Sequence, residues 1–289
     1  MFKSIVPLIT LALMAASLTG CTPRMRSMGA AVETAPVTHR ADASNKDSQM
    51  TLDATGFVSL SDATENVSDV GAAGGTASLT YRMGGGASFL FFNAALSGFH
   101  GKLNFACTDE DCLDSTDAYY RAYKKWLKTS DGKDRYDFTN LQERLLIGFD
   151  FNMGSYLFAG LAVGGQAFQG GGSYDKKRGN LAADTVVVYG IDEETGETSP
   201  ITINAPIIRD ADGRYGFGVA TVAWLGARFG KQSEYGNLSL ELSTFLKGGP
   251  GMWTRSWKLT YWHPTGFYGG AAWGDLLNYT AYIGKTFAF

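Results

Sequence analysis

The chain ends with the stretch Asn278-Tyr-Thr-Ala-Tyr-Ile-Gly-Lys-Thr-Phe-Ala-Phe289, in which apolar and polar residues alternate. An extended strand places successive side chains on opposite faces, so the alternation sorts these residues into two faces. The apolar face is interrupted only by Lys285 and holds Tyr279, Ala281, Ile283, Phe287 and Phe289. The polar or small face holds Asn278, Thr280, Tyr282, Gly284, Thr286 and Ala288. The stretch predicts an amphipathic strand that runs to the last residue.

The composition of this ending also has a counterpart in a known class of proteins. Its aromatic last residue, Phe287 two positions earlier and Gly284 resemble the C-terminal assembly signal of bacterial outer-membrane β-barrels. The resemblance implies that the last strand closes a barrel against the first strand, since an open sheet edge is not tolerated in lipid. It also implies the barrel assembly machinery as a partner during biogenesis. An edge strand of a soluble β-protein is the alternative.

The other end of the chain indicates its compartment. Lys3 precedes an apolar run, residues 5–18, that is too short to span a bilayer. The run leads into Leu18-Thr19-Gly20-Cys21, which resembles the lipobox of bacterial lipoproteins. The resemblance implies a cleaved signal peptide over residues 1–20 and a lipid-modified Cys21. Because Thr22 rather than Asp follows, it implies the outer membrane. A plain signal peptide with an incidental Cys is the alternative.

The segment after the lipobox is poor in large apolar residues. Residues 22–49 are rich in Ala, Thr, Ser, Pro, Lys and Arg and cannot bury enough surface to fold. We therefore expect a disordered tether that spans about 25–35 Å as a flexible coil. The predicted organisation is a signal peptide over 1–20, a lipidated flexible tether over 21–50 and an outer-membrane-type β-barrel domain over 51–289.

The remainder of the chain favours an exported β-protein. It contributes most of the 37 Gly, 14 Tyr, 18 Phe and 6 Trp, and it alternates in eight apolar-patterned segments. The connections between these segments alternate in length: long at 61–75, 100–140, 170–212 and 249–274, and short at 84–86, 152–155 and 230–236. This alternation is typical of outer-membrane barrels. The expected fold is all-β, an antiparallel up-and-down β-barrel of about eight strands with short periplasmic turns and long outer loops.

The architecture resembles the small barrels of the OmpA and OmpX type, whose lumen is packed with side chains. In that arrangement a charged set would face the lumen as a buried ion network: Arg82, Arg144, Asp150, Arg228 and Glu241. The lipid is a departure from that family, because an embedded barrel needs no anchor. The alternative is a soluble, lipid-anchored barrel or sandwich that binds a small hydrophobic ligand or a glycan. Its apolar face would point inward and the charged set outward.

The connections carry two further candidate sites. Cys107 and Cys112 flank four residues, and a disulfide between them is expected in an oxidising compartment. The last connection is aromatic, and its rings are candidates for a membrane-interface belt or for a surface that binds a glycan: Trp253, Trp257, Tyr261, Trp262 and Trp273. In the third connection, residues 185–190 are expected to pair with 201–204 as a hairpin.

Catalytic chemistry is sparse. His39, His100 and His263 have no Ser or acidic partner at a catalytic spacing, so no enzyme activity, metal or cofactor is expected. A formal net charge of −3 gives no reason to expect nucleic acid. The predicted role is structural, or interaction at the cell surface through the outer loops, with outer-membrane lipid and an extracellular glycan or protein as partners. A barrel enzyme or a narrow channel are the remaining alternatives.

Overall fold

The computed structural model describes residues 24–25, 27–37, 47–61, 67–84, 88–105, 135–177, 185–191, 198–206, 209–210, 214–230, 233–247 and 253–289. The chain divides into two compact units. The barrel unit comprises Arg26–Ala106, Asp134–Lys176 and Ala211–Phe289, and the second unit comprises Met1–Met25, Cys107–Lys133 and Lys177–Asp210.

Strands account for nearly all of the described secondary structure. In chain order they are β1 (Arg24–Met25), β2 (Gln49–Ser61), β3 (Val67–Arg82), β4 (Ser88–Phe105), β5 (Arg135–Met153), β6 (Leu157–Gly171), β7 (Thr185–Ile191), β8 (Thr198–Pro206), β9 (Arg209–Asp210), β10 (Tyr215–Arg228), β11 (Asn237–Lys247), β12 (Trp253–Trp262), β13 (Phe267–Gly274) and β14 (Tyr279–Ala288). A 3-10 turn covers Met28–Ala30, and residues 173–177 form a helical turn. Among the described residues no helix is long and apolar enough to cross a membrane.

Ten strands, β2–β6 and β10–β14, form one closed barrel in which every pairing is antiparallel. Consecutive strands pair with each other, β6 pairs with β10, and β14 closes the barrel on β2. The closing register runs from Tyr279 opposite Leu60 to Ala288 opposite Thr51. Beyond it, the Phe289 backbone N–H donates to the Met50 carbonyl at 2.9 Å. The all-β closed barrel and the pairing of its last strand with its first are therefore confirmed.

The number of strands is ten, so the prediction of about eight is wrong. Residues 249–274, expected as a loop, contain β12 and β13, and most of 61–75 belongs to β3. β12 was missed although its polar residues alternate from Thr254 to Thr260. The two other missed stretches are rich in Gly and Ala: residues 71–75 read Gly-Ala-Ala-Gly-Gly, and residues 269–272 read Gly-Gly-Ala-Ala. Such residues carry little of the large-and-polar alternation that identifies a strand, so these two segments read as loops.

Burial alternates along the barrel strands with the period of two that the sequence predicted. Along β5, Leu145, Ile147 and Phe149 are exposed on the outside, whereas Arg144 and Leu146 between them are buried in the lumen. The apolar face thus points outward and the polar face inward. This orientation is the opposite of the one expected for a soluble barrel or sandwich with an apolar interior.

The N-terminal region differs from the expected tether. Residues 27–37 are called the luminal segment below. Residues 27–28 and 30–37 are buried, and the segment contacts inward-facing side chains of the barrel. The prediction of a disordered tether is therefore wrong for this segment. Residues 1–23, 26 and 38–46 lie outside the described residues, and β2 already begins at Gln49.

The second unit contains a β-hairpin. β7 pairs antiparallel with β8 from Thr185 opposite Pro206 to Ile191 opposite Thr198, with a register irregularity between Val188 and Gly190. This confirms the predicted pairing of residues 185–190 with 201–204. In the same unit β1 pairs parallel with β9.

Candidate functional site

The barrel has two distinct ends, which fix the position of everything inside it. At the turn end, short turns join β5 to β6, β10 to β11 and β12 to β13, and β2 begins there. At the connection end, the long connections leave between β4 and β5 and between β6 and β10. The lumen between these ends is the candidate functional site, since it holds the luminal segment and the inward-facing charges.

Glu33 is the central side chain of the luminal segment. It is fully buried, and its Oε1 accepts hydrogen bonds from Thr76 Oγ1 at 2.8 Å and from Ser97 Oγ at 2.6 Å. The same oxygen accepts the Ala35 backbone N–H at 3.2 Å. Hydrogen bonds to a buried carboxylate offset part of the cost of removing it from water.

Barrel side chains also bind the backbone of the luminal segment. The Ala31 carbonyl accepts from Gln142 Nε2 at 2.8 Å and from Gln166 Nε2 at 3.0 Å. The Ala30 carbonyl accepts from Thr254 Oγ1 at 2.8 Å. Because a strand-free backbone has no ladder partners, these side chains satisfy polar groups that would otherwise be buried without hydrogen bonds.

The luminal segment runs from the connection end towards the turn end. Ser27 lies against Gly170, the next-to-last residue of β6 at the connection end. Further along, the Ala35 carbonyl accepts from Lys258 Nζ at 3.1 Å, four residues closer to the turn end of β12 than the Thr254 that binds Ala30. Val37 then joins a buried apolar cluster with Phe91 and Trp224, among others.

The chain reappears at the turn end after the luminal segment. There the Gly84 backbone N–H donates to Ser48 Oγ at 3.1 Å, just before β2 begins. The described positions on either side of residues 38–46 therefore lie inside the lumen and at its turn end. The chain enters the barrel from one end and starts its first barrel strand at the other.

The residues predicted as a charge network lie in the lumen, where two ion pairs are formed. Arg82 Nε donates to Asp150 Oδ2 at 2.5 Å, and Arg82 is fully buried. Glu241 pairs instead with Lys258, whose Nζ lies 2.6 Å from Glu241 Oε1, and both side chains are at most 2% exposed. Ser243 Oγ donates to the same carboxylate oxygen at 2.7 Å. Lys258 was missed because it lay in the region expected as a loop, although polar residues at every second position from Thr254 to Thr260 were the available signal.

The other two predicted charges contact neutral groups. Arg228 donates from Nη2 to Asn152 Oδ1 at 2.6 Å and from Nη1 to the Leu157 carbonyl at 3.0 Å. Its guanidinium carbon also lies 4.9 Å from the centre of the Phe158 ring. Arg144 Nη2 lies 3.4 Å from Asn93 Oδ1. All five predicted residues are buried in the lumen.

Aromatic rings fill the lumen by lying over glycines of the neighbouring strand. Trp224 stands opposite Gly160, and its indole occupies the space that a Cβ on Gly160 would need. The same relation holds for further directly opposed pairs: Phe158 with Gly226, Phe138 with Gly101, Phe168 with Gly216, and Tyr268 with Gly284. These glycines let large rings lie flat against the wall, so the interior is packed with side chains.

The outer wall is apolar. Leu60, Leu145, Phe217 and Ile283 are between 67% and 70% exposed, whereas charged Arg82 and Lys258 are fully buried. A recess of about 650 Å³ involves the small residues Ala77, Ala94, Gly165 and Ala167, together with Glu143. This distribution is the inverse of that in a water-soluble globular protein.

The predicted aromatic set lies on barrel strands, so its expected position in an outer loop is wrong. Trp253, Trp257, Tyr261 and Trp273 are exposed on the outer wall along β12 and β13. Trp262 points into the lumen, where its Nε1 donates to Ser239 Oγ at 3.0 Å. A ring on the outer wall suits a membrane interface, where an aromatic group has both apolar and polar surroundings.

The remaining candidate residues provide no assembled chemical site in the described structure. His263 lies exposed in the turn between β12 and β13, with Nδ1 2.7 Å from Thr265 Oγ1, and His100 is exposed on β4. Within the described residues no cluster of three His, Cys, Asp or Glu could hold a metal ion. Cys21, His39, Cys107 and Cys112 lie outside the described residues.

Comparison with known proteins gives structural likenesses alone. No protein-family model and no curated protein sequence matches the chain. Among solved structures, the outer membrane protein OprG from Pseudomonas aeruginosa matches with a TM-score of 0.34 and 8% identity, covering 84% of this chain and 97% of that one. Ail of Yersinia pestis gives the same values. The translocator domain of the autotransporter NalP from Neisseria meningitidis has a TM-score of 0.37 and 8% identity, covering 86% and 91%. These identities are too low to transfer a function.

Proposed function

We propose that this chain is an outer-membrane lipoprotein whose ten-stranded barrel spans the membrane with a closed lumen and whose role is structural or surface interaction. The observation that carries the proposal is the inverted burial of the barrel wall. Leu145 is 67% exposed while its neighbour Arg144 is 2% exposed, and the same alternation continues along the barrel strands. Such a wall is suited to contact with lipid hydrocarbon outside and polar groups inside.

The energetics of the outer wall support a membrane environment. Moving a large apolar side chain from water into an apolar phase is favourable by about 1.5–3 kcal/mol. Monomeric soluble proteins rarely expose contiguous apolar patches of more than a few hundred Å². The exposed Leu, Ile, Val and Phe side chains of this barrel are distributed over all ten strands, so water would surround far more apolar surface than that.

The contents of the lumen support a closed barrel rather than a pore. The luminal segment, the Lys258–Glu241 pair and the rings packed over glycines occupy the interior at successive heights. The segment is fixed by side chains of six strands, which makes it part of the barrel interior. Passage of water or ions would require its displacement.

The segments available to a partner are the connections. The longest leave the barrel between β4 and β5 and between β6 and β10, and the second includes the β7–β8 hairpin. Long segments carried on a rigid scaffold are where binding is usually located. We place them outside the cell, where they would meet an extracellular glycan or protein. Support for lipidation comes from the lipobox resemblance at Cys21.

The membrane barrel can be tested by removing the proposed lipid anchor, so that only the barrel wall can hold the protein in the membrane. The full chain with Cys21→Ala would be expressed and its membranes washed with alkaline carbonate. The proposal predicts that this variant stays in the membrane pellet, is monodisperse only in detergent and shows heat-modifiable migration on gels. A variant that is monomeric in buffer without detergent would contradict the membrane barrel and restore the soluble alternative.

A further inference from the structure

The direction of the luminal segment fixes where the preceding residues leave the barrel. Ser27 lies at the connection end, against Gly170. The contacts of Ala30 with Thr254 and of Ala35 with Lys258 then descend along the same strand. The chain that precedes Ser27 therefore joins the luminal segment at the connection end, on the side where the long connections leave.

Chain length limits how far Cys21 can lie from that point. Six residue steps separate Cys21 from Ser27, and they span at most about 20 Å when fully extended. A lipid-facing barrel band is about 25 Å tall. A chain that starts inside the lumen at the connection end would have to cross the rim and then descend that whole band to reach the opposite leaflet. Six residues are too few for this path.

We infer that the acylated Cys21 is anchored in the leaflet at the connection end of the barrel, so that the chain crosses the membrane through the lumen of its own barrel before the first barrel strand begins. The inference rests on the proposed lipidation of Cys21. With the long connections outside the cell, the lipid lies in the outer leaflet and the N-terminus is exposed at the cell surface. The N-terminal acyl chains therefore insert into the hydrocarbon of a lipid leaflet.

Contacts in the lumen make this path a fixed one. The luminal segment is bound through a side chain at Glu33, through carbonyls at Ala30, Ala31 and Ala35, and through the Val37 backbone N–H, which donates to Glu241 Oε2 at 2.8 Å. These contacts are spread along the segment, so neither end of it is free to turn back. A tether anchored at the turn end would need residues 27–37 to leave the lumen.

Single-cysteine labelling in intact cells tests the sidedness. In full-length chains carrying Cys107→Ser and Cys112→Ser, reporters are placed at Pro23→Cys, at Lys133→Cys next to β5 and at Ser155→Cys in the β5–β6 turn. A membrane-impermeant maleimide is applied before and after permeabilisation, and heat-modifiable migration verifies folding of each variant. We expect Pro23→Cys to label together with Lys133→Cys in intact cells, and Ser155→Cys only after permeabilisation.

The outcomes separate this inference from the proposed function. Labelling of Pro23→Cys together with Ser155→Cys, and opposite to Lys133→Cys, overturns the inference. If Pro23→Cys and Lys133→Cys both label only after permeabilisation, the path stands and the proposed orientation is wrong. Mass spectrometry of the mature N-terminal peptide decides the lipid independently: an unmodified Cys21 removes the anchor, and the labelling of each reporter is then read against the same chain without a reporter Cys, so that it still reports the path.

A second measurement tests whether the luminal segment lies inside the barrel, and it does not depend on which side of the membrane each end faces. Glu33→Cys and Ser97→Cys in the same Cys107→Ser and Cys112→Ser background, where Cys21 is the remaining native Cys, would face each other, because Glu33 Oε1 and Ser97 Oγ are 2.6 Å apart. A short bis-maleimide, to whose two double bonds the two thiols add, should join them in folded protein and change its migration on denaturing gels. Absence of the cross-link in a heat-modifiable barrel, with both thiols reactive after unfolding, would show that the segment lies elsewhere.

Discussion

The Val37 backbone N–H donates to Glu241 Oε2 at 2.8 Å, which joins two residues 204 positions apart in the chain. The other oxygen of this carboxylate binds Lys258 Nζ at 2.6 Å. The carboxylate therefore holds a barrel cation and the luminal segment at the same time. One side chain therefore links the position of Val37 to the neutralisation of Lys258.

Replacing the luminal segment with Gly and Ser at equal length should open the lumen. The replacement removes the Glu33 side chain and the apolar side chain of Val37, while the barrel wall is unchanged. In planar bilayers we expect no stable conductance from the wild type and discrete steps from the replaced variant. A Gly and Ser replacement of residues 192–197 is the control and should stay closed. Porin-sized steps from the wild type, or a closed replaced variant, would contradict a lumen sealed by this segment.

The Lys258–Glu241 pair should be strongly coupled in stability. Lys258→Met leaves a buried carboxylate without its cation, which costs about 3–5 kcal/mol, whereas the double variant with Glu241→Gln should recover most of that loss. Urea unfolding of the barrel in lipid vesicles gives both values as a double-mutant cycle. The exposed Arg255–Asp275 pair, with Arg255 61% exposed, is the matched control, and Arg255→Ala should cost about 1 kcal/mol or less. Equal losses at the two pairs would show that Lys258 is not buried against Glu241.

The barrel and its inward charges could be predicted because period-two alternation is a local property of the sequence. Arg144 and Asp150 were assigned to the lumen because they lie on one face of β5 and the large apolar residues lie on the other. The closing strand could likewise be predicted from the alternation of its own residues. The two Gly- and Ala-rich strand regions could not be predicted in this way, because a glycine such as Gly270 is favourable in a strand only when a ring such as Tyr282 covers it from the next strand.

The luminal segment could not be predicted from its own residues. Its composition is that of a flexible linker, and the groups that bind it are distant in sequence: Gln142, which donates to the Ala31 carbonyl, is 111 positions away. Its burial depends on the closed barrel around it. Prediction from local composition therefore assigns disorder to residues 27–37, although the assembled lumen supplies partners for them.

Filling the space above a luminal glycine should destabilise the barrel. At Gly160 a new Cβ would collide with the Trp224 indole, which has little freedom to move, so Gly160→Ala should cost about 1–3 kcal/mol. Gly56→Ala is the control, since no heavy atom lies within 4 Å of the added carbon. Thermal or urea unfolding of both variants in vesicles decides this. Equal stability of the two variants would mean that Trp224 does not lie over Gly160.

The stability of Leu145→Arg in lipid vesicles tests the central claim most directly, because Leu145 lies near the middle of β5 and is 67% exposed on the outer wall. In a bilayer, an Arg near the midplane should cost about 2–4 kcal/mol, and one close to an interface about 0–1 kcal/mol. Met153→Arg, at the turn end of the same strand, is the matched control. The account predicts a large loss for Leu145→Arg and a small one for Met153→Arg in urea unfolding. Equal and negligible losses would place this wall in water and contradict a membrane-spanning barrel.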